Sequence, residues 1–166
     1  YTSYTPYQAE ISQGRLEALL NFQTMVSDLT GMPMANASLL DEGTAAAEAM
    51  LMFHASRSRA LVKSNANKFL VSSSIFPQSI AVIKARASQK DIELIIVDRS
   101  EFKFNEDVFG CMVQYPDHKG DIFDFSGIIA EAKEKQIPVA VGADLLSLAM
   151  LTPPGDWGAD VVFGST

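Results

Sequence analysis

The chain has 166 residues, a formal net charge of −7, 48% hydrophobic and 20% charged residues. That length supports one domain with a real core, and an acidic balance with scattered Lys and Arg argues against nucleic acid or an anionic membrane surface as a partner. No apolar run approaches the roughly 20 residues of a membrane span, no basic-then-apolar leader is seen, and the single Cys111 argues against a disulfide framework or a cysteine zinc site, so a reducing cytoplasm is the expected compartment.

Residues 1–9 hold three tyrosines and a proline and read as an extended, ordered segment. Within "YTPYQAEISQG" (4–14), Tyr4, Tyr7, Gln8, Glu10 and Gln13 can hydrogen-bond a small polar ligand; the plainer reading is an arm docking on a neighbouring domain. Residues 13–30 place Leu16, Leu19, Leu20, Met25, Val26 and Leu29 at near-helical spacing, and Gly31 follows as a C-cap. Residues 34–38 read as a short strand. An Ala-rich helix over 44–57 is apolar around Ala46, Met50 and Phe53. Then come a strand "KFLVSS" (68–73), a helix over 78–89, a buried strand "IELIIV" (92–97) and another strand, "FGCMVQY" (109–115). A helix over 124–136 and the strands "IPVAVGA" (137–143) and "DVVFGS" (160–165) complete the pattern. Apolar strands alternating with helices predict an α/β fold, a mostly parallel sheet flanked by helices on both faces, as a single domain over 1–166.

In such sheets ligands bind beyond the carboxyl ends of the strands. That places 38–44, 72–78, 114–119, 142–144 and 164–166 along one rim. The segment "LLDEGTAAAEAM" has a strand-turn-helix pattern in which Gly43 lets the backbone approach a phosphate, Thr44 adds a hydroxyl and the helix N-terminus favours an anion. The competing reading makes Asp41 the N-cap and Glu42 a first-turn acid, and two carboxylates there repel a phosphate. His54 and His118 are far apart with no i, i+4 partner, so no metal site is expected; His118 reads as a solvated turn residue. Cys111, in an apolar strand, reads as a buried small hydrophobe. "TPPGDWGAD" (152–160) is a Pro/Gly turn before the last strand. No Ser/His/Asp set and no Gly-rich phosphate loop is present.

The stretch from Tyr4 to Met50, "YTPYQAEISQGRLEALLNFQTMVSDLTGMPMANASLLDEGTAAAEAM", closely resembles the N-terminal half of the glycine cleavage system P-protein family, and "QYPD" and "TPPGDWGADVVFGS" are similar to it in sequence and spacing. The resemblance covers the whole chain. It implies the large domain of a fold-type I transferase dependent on pyridoxal 5'-phosphate (PLP), and a piece of a longer enzyme built from two related halves. That enzyme decarboxylates glycine and passes the aminomethyl group to the lipoyl arm of H-protein. The implied partners are therefore the catalytic C-terminal half or subunit, lipoylated H-protein and glycine, in a dimer of two-half units in a bacterial cytoplasm.

The resemblance also implies that this half lacks the PLP lysine, whose position falls just beyond Thr166, so no catalytic residue is expected here. Matching through Pro154-Gly155-Asp156 puts Val141 where the catalytic half has the Asp that pairs with the pyridine nitrogen, with Gly142 and Ala143 kept and Asp144 three residues on. Glu42, Gly43 and Thr44 become a relic phosphate loop. Tyr4, Tyr7, Gln8 and Glu10 become candidate contacts with substrate or with the interface between halves. Phe76 stands where the family often has His. The alternative is a purely structural half that supports the catalytic half and docks H-protein.

Overall fold

The computed structural model describes residues 13–36 and 39–166. Helix α1 (Gln13–Thr30) is followed by α2 (Glu42–Ala55), the short α3 (Arg59–Lys63), β1 (Lys68–Ser72) and α4 (Pro77–Ala87). Then come β2 (Glu93–Val97), β3 (Val108–Tyr115), α5 (Ser126–Glu134), β4 (Val139–Ala143) and β5 (Val161–Phe163). All pairings in the five-stranded sheet are parallel, in the order β2-β1-β3-β4-β5.

Three helix boundaries have a clear local cause. Asp41 is the N-cap of α2, its Oδ1 accepting the Thr44 N–H at 2.7 Å. Pro77 opens α4, where its missing N–H costs no hydrogen bond. Gly31 stops α1 at φ +69°, a left-handed conformation that favours glycine. A Cβ on Gly155 would stand 2.2 Å from the Gly31 carbonyl oxygen, so these two backbones are in direct contact.

Two apolar layers enclose the sheet. On one face α2 and α4 pack through Ala46, Met50, Phe53, Ile83 and Ala87 onto Phe69, Val71, Phe109, Met112, Ala140 and Phe163. The alanines of α2 let that helix lie close to both α4 and the sheet. On the other face α5 and residues 145–159 cover Val113, Tyr115, Val141 and Ala143 through Ile129, Leu148 and Ala159. Trp157 sits edge-on to Tyr115 and Phe125, with centroids 4.7 and 6.4 Å apart. Ile83 is fully buried between α4 and the sheet. Trimming it in Ile83→Val is expected to cost about 1 kcal/mol, measured as a lower denaturation midpoint of the full-length protein with unchanged slope.

Several expectations need correction. Residues 34–36 lie in no strand, and residues 37–38 fall outside the described residues. The strand "IELIIV" is not buried throughout: β2 is an edge strand with Glu93 and Ile96 exposed. Helix α1 is in place, but Leu20 and Met25 are exposed, so its apolar face is only partly covered by this chain.

Candidate functional site

The strand order changes direction between β1 and β3. The chain leaves β1 through α4 on one face and leaves β3 through α5 on the other, so their carboxyl ends diverge and open a crevice. The loops following the two strands are tied across this opening: the His118 backbone N–H donates to the Ser74 carbonyl at 3.0 Å, and His118 Nδ1 lies 3.0 Å from the same oxygen. Asp117 fixes its own loop by accepting the Lys119 and Asp121 N–H groups at 2.8 and 3.0 Å.

Gln114, Gly142 and Phe163 lie in register across β3, β4 and β5. Their row faces α2, and Gln114 reaches its first turn, Nε2 donating to Glu42 Oε1 at 3.3 Å. Glu42 is half-buried. Burial pushes its carboxyl above the ordinary range, the Gln114 hydrogen bond opposes this, and the charge of Asp144 adds to the rise. Asp144 stands just past β4, its Oδ1 accepting the Ser147 N–H at 2.7 Å. The exposed carboxyl of Asp41 is held below its ordinary range by the Thr44 N–H and then by the Thr44 side chain.

The three residues of the expected phosphate loop are thus placed as follows. The Thr44 N–H is taken by Asp41. The Glu42 carboxylate lies beside Gln114 at the carboxyl end of β3. Gly43 faces α4, where an added Cβ would meet Val82 Cγ2 at 3.3 Å and the Ser79 Cα at 3.5 Å, so its small size serves helix packing. Tyr4, Tyr7, Gln8 and Glu10 lie outside the described residues. Gln114 was legible as a rim position but not as a site residue. Its signal is a lone amide closing the apolar strand "FGCMVQY".

These residues do not fit PLP. An internal lysine, a pyridine-pairing acid and free N–H groups for the phosphate are the donor set that group needs. Val141 is fully buried and packed in the apolar layer under α5. Glu42 and Asp144 put negative charge where a phosphate would lie. Lys119 is on an exposed loop, while Lys68, paired with Asp107, and Lys135, bonded to the Phe104 carbonyl and Glu131, sit at the opposite end of the sheet.

That opposite end also has a cavity of about 960 Å³ lined by Arg57, Phe104, Asp107, Lys135 and Pro138 among others. Its Arg57 is held by the His54 and Ala66 carbonyls at 2.8 and 2.7 Å. Among the described residues no group of His, Cys, Asp and Glu is placed to hold a metal. His54 packs edge-on to Phe109, and burial pushes the Cys111 thiol up, out of nucleophile range. Among the described residues no helix is long and apolar enough to cross a membrane.

Comparison with known proteins agrees with this architecture. The model of the glycine cleavage system P-protein family matches residues 1–166. The chain is 56% identical over its whole length to the glycine dehydrogenase (decarboxylating) of Bacteroides thetaiotaomicron, of which it covers 18%. It is 55% identical to the mitochondrial glycine dehydrogenase (decarboxylating) of Dictyostelium discoideum, of which it covers 16%. The chain therefore spans less than a fifth of the length of these relatives. A crystal structure of glycine decarboxylase (P-protein) of the glycine cleavage system, in inhibitor-bound form, superposes with a TM-score of 0.85 at 35% identity, over 99% of this chain and 37% of that one. A methionine gamma lyase from Micromonospora echinospora superposes with a TM-score of 0.66 at 16% identity, over 89% of this chain and 38% of that one, which speaks to fold alone. The fold is the large-domain fold of the fold-type I PLP-dependent enzymes. With the family model matching from the first residue to the last, the chain belongs to the glycine cleavage system P-protein family.

Proposed function

We propose that this chain is part of the large domain of the N-terminal half of a decarboxylating glycine dehydrogenase, the half that does not carry the cofactor lysine. The activity of the whole protein is then the decarboxylation of glycine, with transfer of the aminomethyl group to the lipoyl arm of H-protein. The observation that carries the reading is a full-length family match on a crevice whose residues do not fit the cofactor. PLP belongs, on this reading, to the catalytic C-terminal half, and the assembled enzyme is a dimer of two-half units in the cytoplasm. This half supplies a wall of the active site and substrate contacts from the segment before α1.

Tyr4, Tyr7, Gln8 and Glu10 are the proposed contacts, on the density of polar and aromatic groups in that segment. In the full-length enzyme, Tyr4→Phe or Glu10→Ala is expected to lower kcat/KM for glycine about tenfold, the loss of about 1.4 kcal/mol of binding or transition-state stabilisation, with an unchanged melting temperature. Unchanged glycine kinetics in both variants would instead make this half a structural support that docks H-protein.

A further inference from the structure

Helix α1 is long and little covered by the rest of this chain. It has 18 residues, and from residue 14 to residue 30 only Thr30 is buried. Most of a helix's stability in a protein comes from packing its apolar face. Leu16, Leu19, Phe22, Val26 and Leu29 are half-buried, while Leu20 and Met25 are exposed. Residues 18–27, "ALLNFQTMVS", carry no charge, so the uncovered side of α1 is not the charged face of a solvent helix.

The apolar surface continues beyond α1. The helix packs against the turn Ser147–Ala149. Leu146 and Met150 flank that turn, 84% and 93% exposed. Met34 is exposed beside α1, where the next carbonyl along the chain, Ala35, accepts the Gln23 Nε2–H at 3.1 Å. Leu40, 87% exposed, precedes the α2 N-cap, and the first turn of α2 reaches Gln114. Gln114 pairs in register with Gly142, so Leu40 and Leu146 both stand at the carboxyl end of β3 and β4. The other exposed large apolar side chains among the described residues, Met52, Val62, Ile96 and Ile122, lie singly on α2, α3, β2 and the loop after β3. Single exposed apolar residues are ordinary, whereas a concentration of them marks an interaction surface.

We propose that the uncovered face of α1, with Leu146 and Met150, is a docking surface for an apolar part of the same polypeptide outside residues 1–166. The inference rests on the reading above, that this chain is part of a larger enzyme, and names the face through which it joins the remainder. The chain covers 18% and 16% of the two relatives named above, so most of a full-length protein lies outside it. That remainder is tethered to this surface, and tethering gives it an effective concentration far above that of a free molecule. A second copy of this chain is disfavoured by charge, since each copy carries −7.

The test uses the full-length protein, oxidised with hydrogen peroxide both folded and in urea, with the rate at each methionine followed by peptide mass spectrometry. Met25 and Met150 are expected to oxidise at least about tenfold more slowly in the folded protein than in urea, because a covered thioether is shielded from the oxidant. Weaker protection at Met150 overturns the proposal. A photo-crosslinking variant, Leu146→benzoylphenylalanine, identifies the occupant. Its cross-link is expected on a peptide outside residues 1–166. Cross-links only to residues 1–166, of the same chain or of a second copy, overturn the proposal. Glycine turnover, measured on the same preparation, tests the larger reading separately. Turnover with Met150 unprotected overturns this inference alone, and protection without turnover counts against that reading alone.

Discussion

Gly155→Ala is expected to destabilise the domain by about 3 kcal/mol or more, the upper range for forcing an atom into filled space. The new Cβ would lie 2.2 Å from the Gly31 carbonyl oxygen, 2.4 Å from its carbon and 2.8 Å from the Thr30 carbonyl oxygen. All three are backbone atoms, so no rotamer change relieves the clash. Gly31 is itself constrained from the other side, held at φ +69° with Pro153 and Asp156 against it. The contact anchors the end of α1, few of whose apolar side chains are deeply buried. Residues 4–10, which carry the proposed glycine contacts, precede α1 directly in sequence. Stability and glycine turnover of the full-length enzyme should therefore fall together. Gly127→Ala is the matched control: no atom lies within 4 Å of its added Cβ, and alanine is the better helix residue within α5. Equal melting temperatures for the two variants would refute the account of the Gly31–Gly155 contact.

Periodicity made the long elements legible because each buries one face continuously. Helix α1 was legible end to end, with Gly31 marking its stop, and every strand from "KFLVSS" to "DVVFGS" is present. The sheet being parallel followed from apolar strands separated by helices. What sequence did not disclose was strand order, and with it exposure. "IELIIV" is as apolar as a central strand, but its position at the sheet edge leaves Glu93 and Ile96 in solvent. The short α3 was missed because five residues give no period to read. At the site, the acid pair Asp41-Glu42 is legible as an argument against a phosphate. The pairing of Glu42 with Gln114 joins residues 72 positions apart, and only the packing of α2 across β3 brings them together. Gly43 is a related case: a glycine beside a helix start resembles a ligand contact, and its space is needed instead by Val82 and Ser79 of α4.

Val141→Asp restores the residue type that the family resemblance places at this position in the catalytic half, and it is expected to unfold the domain rather than create a cofactor site. Val141 is fully buried, and along β4 it points away from the Gln114 face. Its neighbours in that layer are Val113, Tyr115, Ile129, Leu148 and Ala159, with Leu145 and Val162 packed against them. A carboxylate there finds no cation among these residues, and an unpaired buried charge costs on the order of 3–5 kcal/mol. Raising its pKa to stay neutral still leaves an unpaired carboxylic acid in an apolar layer. The full-length variant should lose resistance to protease within 13–166, and its PLP content per chain should not rise. Val141→Ala separates the two effects, since it removes volume without adding polarity and should cost less than Val141→Asp. A Val141→Asp protein that melts like the unsubstituted one and binds one more equivalent of PLP would mean that position 141 opens onto the crevice. That outcome would overturn the arrangement of the two apolar layers and the conclusion that the cofactor does not fit this half.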